Sequence, residues 1–506
     1  MPAVPHLPKA SPSPANEMPR SHLLILLLIS LLGVSLFLGA AALRFRLGFP
    51  LDDSWIHQTY ARNLALRGEW SFLPGQPSAG STSPLWTFLL SIGYRLHLNP
   101  YFWTWLLGVL TLWAMGVLLE SATRRLLSFY RPSFPWVGIL AVLEWRMVWM
   151  AASGMETLLH ALLLTLAAIF LLSATPRYLT LGVIAGLTIW TRPDGLLIVP
   201  FLALDALLRP APSLRERLRH LLNLSLGFAV LFGLYLLFHL LLEGQPWPNT
   251  FYAKQAEYLS WQQRPFFARL GAYLWEWIYG STLLLLPGVL VFFIRLIRAR
   301  NEPYTRSMWL LLLWWIAFFT VYLLRLPPYH HARYIMPLLP LFLLWGMAGM
   351  LIATRRATLP WYRIFFPAWR LSLGLVLVVY FFFGALAYAE EVGYIEHQMV
   401  ETARWVQANL PPQAVIAAHD IGALGYFDTH PLVDLAGLIT PEVIPILNDE
   451  QALADYLNAQ GVEYLILIQG LYPQLEAGRE IIYRGPQDGL TLVQNVPIVV
   501  YRWEGR

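Results

Sequence analysis

The fold of this chain is organised around residues 51–86, LDDSWIHQTYARNLALRGEWSFLPGQPSAGSTSPLW. The stretch opens with adjacent carboxylates, Asp52 and Asp53, and continues through a helix-compatible run from Ser54 to Leu66. It then becomes rich in Gly, Pro and Ser, which is typical of a loop that can wrap a ligand. Paired carboxylates beside a membrane span could act as a general base, hold a metal ion or solubilise the end of the span.

The composition places this polar stretch in a membrane protein. Of the 506 residues, 57% are hydrophobic and 13% are charged, and the mean hydropathy is +0.52. These values lie outside the usual range of soluble globular proteins. The net charge of +5 does not indicate nucleic-acid binding, because the arginines form short clusters between apolar runs. The chain has no cysteine, which excludes disulfides and thiolate chemistry.

Apolar runs of about 20 residues predict the transmembrane helices. Residues 1–21 are expected to form a disordered cytoplasmic tail. The run from His22 to Leu43 is too long for a signal peptide and is interpreted as an uncleaved first span. The run 178–208 is interrupted at Thr191–Gly195 and is predicted to form two short helices. Further spans are predicted near 101–122, 134–150, 156–174, 218–242, 270–298, 307–325, 333–353 and 364–388.

The segment 84–97 decides which side of the membrane each loop occupies. It is short for a span. If it does not cross, every arginine cluster lies inside, as the positive-inside rule expects. The first loop, 44–100, and the carboxy-terminal region then lie outside. If it crosses, Arg124 and Arg125 face outward and residues 389–506 face the cytoplasm. The first topology also collects several polar motifs outside: Ser153–Glu156, Arg192–Gly195, Asn249–Lys254 and His330–Arg333.

Each outer motif has a structural and a functional interpretation. Glu156 suits the positive end of a helix dipole, and capping is slightly favoured over a functional role. Arg192 and Asp194 lie in an otherwise apolar run, where they could form a structural pair or an anion site. Apart from Lys9, Lys254 is the only lysine; it could snorkel to headgroups or contribute a positive charge.

His330, His331 and Arg333 lie between two apolar runs. The histidines could bind a metal or, together with Arg333, a phosphate. Adjacent histidines point in different directions on a helix, so one metal held by both is disfavoured. We favour the phosphate interpretation, with the alternative that either histidine only caps a helix end.

A carboxylate near several cations at the outer leaflet suits transfer of a sugar from a lipid-linked phosphate. The carboxylate would deprotonate an acceptor hydroxyl, and the cations would stabilise the departing phosphate. One displacement inverts the anomeric carbon. No Gly-rich nucleotide-binding domain is recognisable in the sequence.

From Ala389 onward the pattern becomes that of a soluble domain. Short β-rich runs are predicted at 414–418, 432–435, 463–468 and 497–501, with helices between the first few. Residues 389–506 therefore form a small α/β domain. His419 and Asp420 follow a predicted strand, where an ordered turn is favoured over contact with an acceptor.

The order of these motifs resembles the GT-C glycosyltransferases, and more narrowly the branch that contains the terminal arabinofuranosyltransferases of mycobacterial cell walls. The resemblance covers most of the chain. Its motifs are Leu51-Asp52-Asp53, Tyr60-Ala-Arg-Asn63, Gly80-Ser-Thr-Ser-Pro-Leu-Trp86, Ser153-Gly-Met-Glu156, Thr191-Arg-Pro-Asp-Gly195, Pro248-Asn-Thr-Phe-Tyr-Ala-Lys254 and His331-Ala-Arg-Tyr334.

This resemblance implies an all-α polytopic membrane protein with about eleven transmembrane helices (22–388) and a small extracytoplasmic α/β domain. Asp52 or Asp53 would be the catalytic base, although Asp53 could instead cap its helix. A divalent metal at this pair is left open, and no other cofactor is implied. The donor phosphate would be bound by Arg192, Lys254, His330, His331 and Arg333. Further substrate contacts would come from Tyr60, Arg62, Ser83, Trp86, Glu156, Asp194, Asn249 and Tyr252.

The sequence therefore predicts an inverting glycosyltransferase at the outer face of a bacterial cytoplasmic membrane. Its partners would be a polyprenyl-phosphate sugar donor, membrane lipid and a glycan, lipid or protein acceptor. The alternative is a polytopic transporter or flippase of lipid-linked glycans, in which intramembrane charges would line a path between the two sides. A third interpretation is a non-catalytic sugar-sensing or assembly protein.

Overall fold

The computed structural model describes residues 18–299, 304–355, 362–486 and 495–503. Of the predicted tail, 1–21, residues 1–17 lie outside the described residues. The helices are α1 (Arg20–Arg44), α2 (Asp53–Arg67), α3 (Pro84–Arg95), α4 (Pro100–Leu126), α5 (Trp136–Leu143), α6 (Trp145–Ala152), α7 (Thr157–Leu171), α8 (Tyr178–Thr191), α9 (Val199–Leu208), α10 (Leu214–Glu243), α11 (Asn249–Glu257), α12 (Leu259–Gln262), α13 (Phe266–Ile278), α14 (Ser281–Arg298), α15 (Thr305–Arg325), α16 (Tyr329–Ala332), α17 (Leu339–Arg355), α18 (Tyr362–Tyr394), α19 (Glu401–Asn409), α20 (Gly422–Phe427), α21 (Glu450–Ala459) and α22 (Pro473–Glu476).

Within the described residues, seven helices are long and apolar enough to cross a membrane, so the chain is a multi-pass membrane protein. The predicted count of about eleven also includes four segments that form shorter or interrupted helices. One of these breaks at Glu144, whose backbone is extended and whose side chain accepts hydrogen bonds from the first amides of α6. Five of the seven are single helices: Arg20–Arg44, Pro100–Leu126, Leu214–Glu243, Ser281–Arg298 and Thr305–Arg325. The other two are joined stretches: Tyr329–Arg355, which runs from α16 to α17, and Tyr362–Asn409, which runs from α18 to α19.

The segment between the first two long helices contains α2 and α3. The predicted helix from Ser54 to Leu66 is confirmed as α2, and ten of its residues are buried. Helix α3 has 12 residues and spans about 18 Å at 1.5 Å per residue, short of a hydrocarbon core of about 30 Å. It packs against α2. The side on which this segment lies stays a prediction.

The carboxy-terminal domain contains a five-stranded sheet with the order β2-β1-β3-β5-β4. Strand β1 is parallel to β2 and β3, and β5 is antiparallel to β3 and β4. All four predicted strands are confirmed. The remaining strand, β4, was not predicted, because it has no buried face that a hydrophobic pattern would reveal. The strands are β1 (Ile416–Ala418), β2 (Leu432–Asp434), β3 (Tyr464–Ile468), β4 (Ile481–Arg484) and β5 (Ile498–Arg502).

This domain is joined to the membrane region by continuous helical backbone. Helix α18 leads through a π-helical turn, Ile395–Val400, into α19. The predicted boundary at residue 389 falls inside this run. Trp55 and Phe72 of the first loop share one apolar core with Ile416 and Val500 of the sheet. The domain is therefore packed directly onto the first loop.

Candidate functional site

A cavity of about 350 Å³ lies among the polar loops that the sequence singled out. Its polar walls are formed by Arg192, Asp194, Lys254, Tyr322 and Tyr334, and its apolar walls include Trp247, Phe251, Val321 and Leu326. Small-molecule sites in proteins usually enclose about 300–1,000 Å³ and combine apolar walls with a few polar groups. Three of the predicted site residues thus share one cavity of suitable size.

The Arg192 side of the cavity is a small network of buried charges. Helix α8 ends at Thr191 because Pro193 cannot continue it. Arg192 donates to Glu156 at 2.7 Å from Nη1, to Asp194 at 3.2 Å from Nε and to the Tyr322 hydroxyl at 3.3 Å from Nη2. The predicted Arg192–Asp194 pair is confirmed, and Glu156 joins it.

Glu156 does not cap its helix, so the capping interpretation is wrong. No helix amide donates to its side chain. The carboxylate is fully buried and lies between Arg192 and His57, whose Nε2 is 3.2 Å away. A buried carboxylate is much more costly without a charged partner than a missing cap is, so the tertiary ion pair prevails. Glu156 therefore affects the cavity through Arg192.

Three cations of the site lie around the ring of Tyr334. Its ring centroid lies 5.3 Å from Arg192, 5.0 Å from Lys254 and 5.0 Å from Arg333. Lys254 Nζ donates to the Tyr334 hydroxyl at 2.8 Å, so Lys254 does not snorkel away from the protein. Cations from three separate parts of the chain therefore converge on one aromatic ring.

Arg333 joins this cluster to the acidic pair. Its Nη2 donates to Asp53 at 2.5 Å and to the Tyr334 hydroxyl at 3.2 Å. Within the described residues, Arg333 Nε and Nη1 have no hydrogen-bond acceptor. A buried guanidinium with unused donors suits an anion, because its planar fork matches phosphate oxygens.

The two histidines before Arg333 are placed differently: His330 lies close enough to Arg333 and Asp53 for their charges to act on it, whereas His331 turns toward Glu391. His330, His331 and Ala332 all adopt left-handed backbone conformations, with φ of 49°, 59° and 55°, which non-glycine residues seldom adopt. His331 Nε2 lies 3.0 Å from Glu391, and its ring packs against Trp145 at 5.0 Å. His331 is not one of the residues that line the cavity, and its predicted contact with phosphate stays a prediction. Its bond to Glu391 stabilises the strained turn that precedes Arg333.

The neighbouring aspartates have different partners. Asp52 is buried, and its two carboxylate oxygens accept hydrogen bonds from the backbone amides of Gly422 at 2.6 Å and Ala423 at 2.8 Å. Asp53 pairs with Arg333 and is 40% exposed. No cap of α2 by a side chain is formed, so the capping alternative for Asp53 is wrong.

These environments give the two carboxyls opposite acidities. Burial and the nearby carboxylate of Asp420 raise the pKa of Asp52 to about 7, although the two amides oppose the shift. Burial would also raise the pKa of Asp53, but Arg333 and Lys254 hold it well below its ordinary value. At neutral pH, Asp52 can exchange a proton and Asp53 stays ionised.

The donor set does not fit the divalent metal that the sequence left open. The carboxylates of Asp52 and Asp53 bind different groups. Among the described residues, no group of three or more His, Cys, Asp or Glu side chains could hold a metal ion. The reaction proposed for this site therefore uses only the side chains and backbone groups of the protein.

Most other predicted contacts shape the first loop instead of lining the cavity. Tyr60 OH accepts from the Gly80 amide at 2.9 Å. Arg62 donates to two carbonyls of α20, and Trp86 donates to the Gly154 carbonyl at 2.9 Å. Ser83 is fully buried in the same loop. Two predicted contacts lie on α11 instead: Asn249 donates to the Leu438 carbonyl of the carboxy-terminal domain, and Tyr252 packs against Phe251.

Sequence reasoning missed several residues of the site. Tyr322 binds both Arg192 and Asp194, but it lies inside an apolar span where no local pattern distinguishes it. Thr82 and Thr250 line the cavity. They lie in the motifs Gly80–Trp86 and Pro248–Lys254, in which larger or more polar neighbours are the stronger candidates from sequence alone. Gly422 and Ala423 act through backbone amides, which leave no sequence signal.

His419 and Asp420 lie on the sheet side of Asp52. His419 Nδ1 is 3.5 Å from Asp420. Burial would lower the pKa of His419, but its bond to Asp420 and the charges of Glu257 and Asp434 raise it to about 9. A His419–Asp420 pair in an ordered turn agrees with the favoured interpretation.

Comparison with solved structures identifies the fold. ArnT from Cupriavidus metallidurans in the apo state superposes with a TM-score of 0.56 and 17% identity, over 94% of this chain and 97% of that chain. The same protein bound to undecaprenyl phosphate gives a TM-score of 0.53 and 15% identity, with the same coverage. This chain therefore shares the fold of ArnT, which agrees with the predicted all-α polytopic membrane fold.

Other matches have a lower TM-score or cover only part of the chain. The arabinofuranosyltransferase AftD from Mycobacteria matches with a TM-score of 0.45 and 15% identity, over 96% of this chain and 42% of that chain. Residues 388–501 match a family described as a domain of unknown function, DUF8728. No curated protein sequence matches the chain.

Proposed function

We propose that this protein transfers a sugar from a polyprenyl monophosphate to an acceptor hydroxyl, with inversion of the anomeric carbon. The observation that carries the proposal is the convergence of Arg192, Lys254 and Arg333 on Tyr334, beside a cavity and next to the acidic pair. Cations held together in a partly buried site stabilise charge that develops on a leaving phosphate. The acceptor would be a cell-envelope glycan, lipid or protein.

The donor phosphate would lie against Lys254 and Arg333. Arg333 has two nitrogens without acceptors among the described residues, and Lys254, which donates to the same Tyr334 hydroxyl as Arg333, adds a second positive charge. Arg192 is already bonded to two carboxylates, so its contribution would be mainly to the electrostatic potential of the cavity. The ArnT structure that holds undecaprenyl phosphate supports a polyprenyl phosphate as the leaving group here.

Asp52 is the better candidate for the base. A general base works best when its pKa lies near the operating pH, and burial brings the pKa of Asp52 to about 7. Asp53 is ion-paired and strongly acidic, so it is a weak proton acceptor. We assign Asp53 the role of orienting Arg333.

The reaction follows from these roles. The acceptor oxygen attacks the anomeric carbon while its proton passes to Asp52. The bond between the anomeric carbon and the phosphate oxygen breaks, and the electron pair stays on the phosphate. Arg333 and Lys254 stabilise the resulting dianion. Polyprenyl phosphate and an inverted glycoside are the products.

Transport of a lipid-linked glycan has less support. A transporter needs polar groups along a path between the two sides. The buried pairs Glu120–Arg124 and Asp205–Arg209 each join residues four apart in the chain. Each pair is also bonded to another helix, because the Gly138 amide donates to Glu120 and Arg209 donates to the Ser307 hydroxyl. Buried ion pairs of this kind usually hold neighbouring helices together. The positive-inside pattern supports an active site at the outer face of the bacterial cytoplasmic membrane.

The proposal is tested with purified protein, a panel of polyprenyl-phosphate pentoses and hexoses, and envelope acceptors. Mass spectrometry should find one donor that yields a glycoside with the wild type. The variant Arg333→Gln, which removes the charge and the fork, should reduce product formation at least 100-fold, since oxyanion-type contacts contribute about 10²–10³. Equal product with this variant would refute the phosphate site. Absence of product from every donor would refute the proposed function.

A further inference from the structure

The base assigned above is held by a part of the chain far from it in sequence. Asp52 accepts hydrogen bonds from Gly422 and Ala423, which lie 370 and 371 residues downstream in the carboxy-terminal domain. Both amides belong to the first turn of α20, where backbone N–H groups have no partner within the helix. Each carboxylate oxygen receives one of them, so both the position and the rotation of the carboxylate are set by this domain.

Glycine is required at the point of contact. A Cβ atom on Gly422 would lie 2.1 Å from the backbone oxygen of Asp52 and 2.8 Å from its Oδ2. Distances below 3.0 Å force a displacement, and here the nearest atoms belong to backbone and to the base itself. The close approach that delivers the two amides is therefore possible only without a side chain.

The other end of α20 is held by the same membrane-domain helix. Arg62 of α2 donates to the carbonyls of Gly425 at 3.1 Å and Tyr426 at 2.7 Å. Trp55 packs at this same end, 4.7 Å from the rings of Tyr426 and Phe427. An anion thus meets the amide end of α20 and a cation meets its carbonyl end, which fixes the orientation of the domain on α2.

We propose that the carboxy-terminal domain completes the active site by positioning Asp52 through the amides of Gly422 and Ala423. The inference rests on the proposed function, because it takes Asp52 as the base. It gives the region matched by a family of unknown function a defined role: Gly422 and Ala423 are positioning residues that never touch substrate. The remaining lone pairs of the carboxylate are left for the acceptor proton.

The charged groups facing Asp52 are Asp420, on the turn before α20, and Asp53 on its own helix. Both are carboxylates that disfavour its ionised form, whereas the two amides favour it. Loss of the amides should therefore raise the pKa of Asp52 and move the acid limb of the rate to higher pH. Hydrogen bonds of this kind correspond to a shift of about one pH unit.

The test compares Gly422→Ala with Gly425→Ala in the full-length enzyme. A Cβ on Gly425 would lie 2.0 Å from the ring tip of Phe72, so the control also strains the contact between α20 and the first loop, but without approaching Asp52. We expect Gly422→Ala to lower kcat at least tenfold, to leave the donor KM within twofold, and to shift the acid limb upward by about one pH unit. Gly425→Ala should keep the wild-type acid limb.

Each outcome is decisive. If both variants lose activity with unshifted pH profiles, the contact only docks the domain and the inference is wrong; if neither loses activity, it is also wrong. Should Gly422→Ala not accumulate, Ala423→Pro removes the second amide in the first turn, where proline is tolerated, and has the same readout. Full activity of Asp52→Asn would instead refute the base assignment in the proposed function, irrespective of Gly422.

Discussion

Asparagine at Asp52 and at Asp53 should give two different kinetic phenotypes, although the residues are neighbours. Asp52→Asn removes the proton acceptor. General-base catalysis typically contributes 10²–10⁴-fold, or about 3–5 kcal/mol of barrier. We therefore expect kcat to fall about 100- to 10,000-fold while the donor KM changes little, because the base acts on the acceptor.

Asp53→Asn removes the ion pair with Arg333, whose atoms are 2.5 Å apart. The carboxylate is 40% exposed, so solvent screening reduces the value of the pair to about 1 kcal/mol. This corresponds to about a fivefold loss in kcat/KM. The orientation of Arg333 would be weakened, but its charge and its unused donors would remain.

The assay measures initial rates in detergent or liposomes with varied donor at saturating acceptor, for both variants at matched folded concentration. Size-exclusion profiles that match the wild type serve as the folding control. The roles assigned here are wrong if Asp53→Asn is as slow as Asp52→Asn, or if Asp52→Asn raises the donor KM without lowering kcat.

Three further predictions follow from the same contacts. Lys254→Met loses the bond to Tyr334 and one cation, so the donor KM should rise about tenfold in donor titrations; an unchanged KM would place the phosphate elsewhere. Arg333→Lys keeps the charge but loses the fork, so it should retain more kcat/KM than Arg333→Gln, and equal losses would argue against bidentate binding. Because Asp52 must be ionised to accept a proton and its pKa is about 7, the wild-type rate should fall about tenfold per pH unit below that value and level off above it. A pH-rate profile that is flat from 5 to 8 would contradict this.

The elements of the fold could be predicted where one local pattern dominates. Helix α2 could be predicted because the run from Ser54 to Leu66 contains no Gly or Pro and follows two aspartates. Strands β1, β2, β3 and β5 could be predicted because each is a short apolar run rich in β-forming residues. Strand β4 has exposed ends and no buried face, so its pattern carries no signal. The prediction that Arg192, Lys254 and Arg333 converge came from placing all polar loops on one side, and the structure brings these three residues to one ring.

The features of the site that the sequence could not predict have tertiary causes. Glu156 was assigned to a cap by a local rule, but burial makes its pairing with Arg192 and His57 decisive. His331 adjoins Arg333 closely in sequence, yet left-handed backbone turns its ring toward Glu391. The role of Asp52 depends on amides 370 residues away, and no spacing or composition could reveal that contact.

The central claim is tested most directly by the fate of the donor in sealed vesicles that contain the purified protein. Isotope-labelled polyprenyl-phosphate sugar and acceptor are supplied, and mass spectrometry counts free polyprenyl phosphate and glycoside. We expect equal amounts of the two products, an inverted anomeric carbon, and formation of both products slowed at least 100-fold with Asp52→Asn. Movement of the intact lipid-linked sugar between leaflets without release of polyprenyl phosphate would contradict glycosyl transfer and support transport.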